Sequence, residues 1–153
     1  MRPPCEVVAL YVLPAFRSLV TKTLIEKHDF SQVAAAKELG TTQATISQYL
    51  YSKRGDKVIR QLEKVHSVQS TAKEIARNIA AGKFSPTDAM QVFCRLCVAL
   101  RDNNVICVIH KRLIPLPRDC TLCHGTMANG GHKLEYDIDL TMTSKPKIVL
   151  ELI

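Results

Sequence analysis

The sequence predicts a mainly α-helical chain with a small α+β region at its end. The helical part is an N-terminal helix-turn-helix bundle and a long connecting helix. A cysteine-rich region and a terminal β-hairpin make up the rest. Three observations carry this. Apolar residues recur every three or four positions through most of residues 5–100. Five of the six cysteines fall between Cys94 and Cys123. From Leu134 to Met142 the period changes to strict alternation, which is the period of a strand.

Residues 5–28 read as helix. Pro14 marks either a break between a short and a longer helix or the first turn of the longer one. Val20, Leu24 and Ile25 form the face expected to pack, and Arg17, Lys22 and Lys27 stay outside.

Residues 31–51 read as two short helices joined by a tight turn. Ser31 can cap the first, its hydroxyl accepting from a free backbone N–H. Val33, Ala36 and Leu39 give that helix a face. Gly40 sits where the chain turns sharply, and glycine takes a left-handed conformation at little cost. Thr41 or Thr42 can cap the second helix, and Ile46 and Leu50 form its buried stripe. Thr42, Gln43, Ser47 and Gln48 are left facing outward. An ordinary helical hairpin more often carries Lys and Glu there. Short hydroxyl and amide side chains suit base edges, and Gln can bond adenine twice in the major groove.

Residues 52–56 form a loop. A long helix is predicted from about Lys57 to Ala81, with Val58, Leu62, Val65, Val68, Ala72, Ile75 and Ile79 as its stripe. The stripe suits an intramolecular core better than a dimer seam, although a helix-turn-helix reads few base pairs and a homodimer on paired half-sites is expected. Ser85 caps the next helix, with Pro86 in its first position and Asp88 closing a capping box. It runs to about Leu100. Val105–Ile109 is β-branched and strand-like. Residues 118–132 are a loop, and 133–153 a hairpin whose terminal strand needs a partner. The expected divisions are 1–56, 57–84, 85–132 and 133–153.

The net charge is +7. Residues 1–83 hold 13 Lys/Arg and 7 Asp/Glu, and residues 84–153 hold 8 and 7, so the excess travels with the helix-turn-helix. Lys53, Arg54 and Lys57 follow the second helix directly, with Arg60 and Lys64 beyond. A lone basic run is usually a solvated face, but here it suits a phosphate clamp. Only four Phe and four Tyr occur, and no base-stacking platform is visible, which disfavours RNA. No apolar run is expected to reach membrane-span length. Glu6 interrupts the apolar start and no cleavage site follows, so a cytoplasmic protein is expected.

Gln32, Ala36, Gly40, Ile46, Ser47 and Tyr49-Leu50 resemble the helix-turn-helix of the XRE/Cro-repressor class. Pro4-Cys5-Glu6-Val7-Val8, Leu13-Pro14-Ala15 with Arg17, and Tyr49-Leu50 running into Lys53-Arg54-Gly55 are similar to an archaeal branch of small transcriptional regulators. The likeness covers about residues 3–123. It implies a double-stranded DNA partner, with Gln32 on phosphate and Thr42, Gln43, Ala44, Ser47 and Gln48 facing the groove. Ala44 departs from relatives that carry a polar side chain there. Its methyl suits contact with a thymine methyl and offers no hydrogen bond to a base edge.

The cysteines run Cys94-x2-Cys97, Cys107-x2-His110 and Cys120-x2-Cys123, nine residues between pairs. The archaeal regulators carry a similar region. Without secretion signals, spaced pairs point to metal rather than disulfides. Cysteine as a small buried hydrophobe accounts for Cys107 and Cys5 but poorly for Cys120 and Cys123. Cys94, Cys97, Cys120 and Cys123 are the favoured ligands, with Cys107 and His110 as alternates. Residues three apart on a helix have Cβ atoms about 5–6 Å apart. That suits a [4Fe–4S] cluster slightly better than Zn2+, unless the helix unwinds before Cys97. His28, His66, His124 and His132 have no obvious partner.

Three functions follow. The first is a transcription regulator responsive to redox or metal. The second is a constitutive DNA binder with structural zinc. The third, a thiol–disulfide oxidoreductase, is disfavoured because Cys94 lies inside its helix, away from the N-terminus that would activate it. A non-enzyme is expected.

Overall fold

Helix-period patterning dominates from Val7 to Ile109, and every regular element described is a helix. The computed structural model describes residues 3–51, 57–117, 119, 120 and 122. The helices are α1 (Pro4–Val7), α2 (Leu13–His28), α3 (Gln32–Glu38), α4 (Gln43–Tyr51), α5 (Lys57–Leu62), α6 (His66–Ala80), α7 (Pro86–Asp102) and α8 (Val105–Leu113).

A π-helical turn, Val8–Val12, joins α1 to α2, so the chain is helical from Pro4 to His28. Pro14 sits in the first turn of α2. Proline has no N–H to give an intrahelical bond, and the wide π turn lies directly before the position where that bond is missing. Asp29, left-handed at φ 55°, ends α2.

The core forms around α2 and α6. Ala15, Val20 and Leu24 of α2 and Val68, Ala72, Ile75 and Ala76 of α6 are all buried in one apolar cluster. The two helices make the most extensive pairing in the fold. The α3–α4 pair lies on α2, with Ala35 and Ile46 fully buried. Leu96 and Leu100 bring α7 onto α6, and α8 packs against both α7 and α1. The Phe16 and Phe93 rings meet at 4.9 Å between centroids, tilted by 44°. That distance suits a favourable aromatic pair.

Four expectations are corrected. The α+β ending is the first: among the described residues there is no strand. Val105–Ile109 is the start of α8. Ile106, Cys107, Ile109 and His110 are buried at helical spacing, and packing on α7 and α1 outweighs β-branched propensity. The 133–153 hairpin lies outside the described residues.

The single helix over 57–81 is the second. The chain turns at residues 63–65 and Val65 is extended, with φ −68° and ψ 122°. No glycine or proline marks the site. The turn lets Leu62 bury (2% exposed) where α5 meets the π turn and α2, while α6 follows α2. Glu63, in the turn, pairs with Lys22 of α2 at 3.4 Å.

Third, Val33 is 68% exposed, and Ala35 with Ala36 forms the buried face of α3. Fourth, the run Pro4–His28 is long and apolar enough to cross a membrane by length and composition, with a mean hydropathy of 1.4. In this fold its α2 part packs against α3, α4, α5 and α6.

Candidate nucleic-acid interface and thiol cluster

The helix-turn-helix is built by its caps. Ser31 Oγ accepts from the Ala34 N–H at 3.1 Å and opens α3. Gly40 is left-handed at φ 58°, and the Thr41 N–H reaches back to the Ala36 carbonyl at 2.9 Å, which closes the end of α3. Of the two threonines, Thr42 caps α4: its Oγ1 accepts from the Thr45 N–H at 3.2 Å.

Burying Ile46 on the inner side of α4 turns Ala44 and Gln48 outward, and Thr42 and Gln43 stand at its N-terminal end. Thr42, Gln43, Ala44 and Gln48 are exposed and Ser47 is half-exposed. Gln32 and Gln43 each occupy the first position of their helix. Gln43 Nε2 donates to Gln32 Oε1 at 2.6 Å, tying the two N-terminal ends together. Gln43 keeps an amide oxygen and a second amide hydrogen for another partner. Lys57 is exposed at the start of α5. Lys53 and Arg54 lie outside the described residues.

Cys94 and Cys97 stand one turn apart on α7, the first exposed and the second half-buried. The helix stays regular through both thiols to Asp102. Cys107 and His110 are both buried on α8. Cys120 is half-buried, and Cys123 lies outside the described residues. Among the described residues no three His, Cys, Asp or Glu side chains converge closely enough to hold an ion. The described part of the favoured ligand set therefore does not by itself make a site.

Cys5 departs from its expected burial. It is exposed, and its sulfur accepts from Arg101 Nη2 at 3.3 Å. Burial, then the neighbouring Cys94, pushes the Cys97 thiol up to about 11; Arg101 opposes this and Cys5 adds to it. Cys5, Cys94, Cys97 and Arg101 thus share one neighbourhood. No local spacing could have revealed it, because Cys5 and Arg101 are 96 residues apart.

No family model, curated protein or solved structure matches this chain.

Proposed function

We propose that the chain is a sequence-specific DNA-binding protein that presents α4 to the major groove of double-stranded DNA. The observation that carries this is the outer row of α4. A capped short helix exposes Thr42, Gln43, Ala44 and Gln48, and Gln43 is held by Gln32 at the adjoining helix end. Amide side chains so placed can read base edges, and helix N-termini suit phosphate. A homodimer on paired half-sites would extend the short footprint of one α4.

The test begins with selection of binding duplexes from a randomised pool. Gln43→Ala should then cost about 1–3 kcal/mol at one base pair and relax preference there. Fluorescence anisotropy on the selected site and its single-base variants reads this out. Equal weakening on every sequence would remove α4 from the groove, and no duplex binding at low salt would end the reading.

A cluster held by the thiols would make binding conditional. The unbroken helix keeps Cys94 and Cys97 at the wider spacing, which favours a [4Fe–4S] cluster over Zn2+, with Cys120 and Cys123 as the remaining ligands. A bound cluster would supply a redox-sensitive centre beside α7. Metal analysis and a visible spectrum of anaerobically purified protein separate this from structural zinc. Equal operator affinity for the native chain and a folded Cys120→Ser/Cys123→Ser variant would make binding constitutive.

A further inference from the structure

The C-terminal end of α2 and the outer face of α6 flank an open groove of about 500 Å3. Lys27 from α2 and Lys73 and Arg77 from α6 line it, with His28, against one carboxylate, Glu74. Lys73 and Arg77 are four apart and share a helix face. Like charges at that spacing destabilise a helix slightly. Among the described residues, none of the three cations has a side-chain hydrogen bond or ion pair. The groove also offers two hydroxyls, but each already donates to its own helix: Thr23 to the Leu19 carbonyl at 2.8 Å, Ser70 to the Ser67 carbonyl at 3.2 Å. The three cations, with the His28 ring N–H, are the donors left for a ligand.

Position decides which anion they meet. His28 ends α2, three residues before the Ser31 cap of α3 and four before Gln32. The α2 wall of the groove thus lies a few residues along the chain from the end of the helix-turn-helix where Gln32 and Gln43 meet. Flexible lysines in an open groove neutralise phosphates without reading sequence.

We propose that this groove is a second phosphate-binding surface, which takes the backbone of the same DNA duplex alongside α4. The inference rests on the DNA-binding reading above. It assigns α6 a dual part: its buried face holds the core and its wet face holds the duplex.

The test uses the full chain, a random-sequence 40-base-pair duplex and a salt titration. Lys73→Ala/Arg77→Ala should lower the slope of log affinity against log salt by about 2, as two lost phosphate contacts require. Lys83→Ala/Lys111→Ala removes the same charge from exposed positions outside the groove and should leave the slope unchanged. Lys27→Ala, on the other wall, should lower the slope by about 1, a check that does not depend on α6 keeping its fold. Equal slopes for the native chain and both groove variants would overturn the inference while leaving DNA binding intact. An equal fall for the Lys83/Lys111 variant would overturn it too, by showing a net-charge effect. Calorimetry with sodium tripolyphosphate covers a free phosphate compound as the source. If the groove variants lost tripolyphosphate binding with an unchanged DNA slope, the duplex would not be the ligand. A native chain that binds no duplex would overturn both this inference and the function it rests on.

Discussion

Gly40 and Cys97 show how much a single side chain, or its lack, settles. A Cβ built on Gly40 meets nothing within 4 Å, so space does not select glycine there. The backbone at φ 58° does. Gly40→Ala should therefore cost about 1 kcal/mol, from left-handed strain alone. Gly40→Asn should cost less, because Asn tolerates that region. Urea unfolding of both variants checks the order, and equal loss would point to a steric cause instead. The glycine was legible in the sequence because its job is local. The state of Cys97 was not. Its thiol is raised from the ordinary 9.0 to about 11 by burial and by neighbours that only the fold supplies. The folded chain holds that proton more tightly than the unfolded one. Its contribution to stability is full below about pH 9 and is lost as pH rises towards about 11. Comparing urea midpoints of the metal-free native chain and Cys97→Ala between pH 8 and pH 10.5 isolates it. The native chain should lose more stability over that range than the variant. Parallel losses would mean that the thiol is not perturbed.

At the scale of elements, caps were readable and packing partners were not. Ser85 and Asp88 form the predicted capping box on α7: Ser85 Oγ accepts from the Asp88 N–H at 3.3 Å, and the Ser85 N–H donates to Asp88 Oδ2 at 2.9 Å. The Ser85 hydroxyl donating to Asp88 Oδ2 at 2.7 Å, and then the Ser85 backbone N–H, hold the Asp88 carboxyl below its usual range. Such bonds join residues three apart, so a short window of sequence contains them. The faces of α3 and α8 depend on what lies opposite. Val33 and Ala36 fit a helical stripe as well as Ala35 and Ala36 do, and only the position of α2 and α4 decides between them. The consequence is measurable. Val33→Ala should change stability by less than about 0.5 kcal/mol. Ile75→Ala, at 1% exposure in the core face of α6, should cost about 2–5 kcal/mol. A costly Val33→Ala would mean that its exposed face is covered in solution. The outer row of α4 was legible for the opposite reason. Once Ile46 is taken as buried, helix geometry places Ala44 and Gln48 on the other side, while Thr42 and Gln43 are exposed because they stand at the N-terminal end of α4.

For the whole molecule, the excess positive charge of residues 1–83 was visible in the sequence, but its division was not. Only the pairing of α2 with α6 gathers Lys27, Lys73 and Arg77 into one groove. The same is true of Cys5, brought beside Cys94 and Cys97 by the docking of α1 and α7, each of which packs on α8. That core is one apolar cluster from Val7 to Ile109. The helices that the sequence reads as separate parts are therefore mutually dependent for their burial. By itself the sequence determined where most helices start and stop, that α3 and α4 form a helix-turn-helix, and which side of α4 faces outward. Those features depend on interactions between residues a few positions apart. The turn at residues 63–65, the helical state of Val105–Ile109, the exposure of Cys5 and the basic groove were decided by tertiary structure alone. Each depends on burial or proximity between residues far apart in the chain, for which local propensity carries no signal.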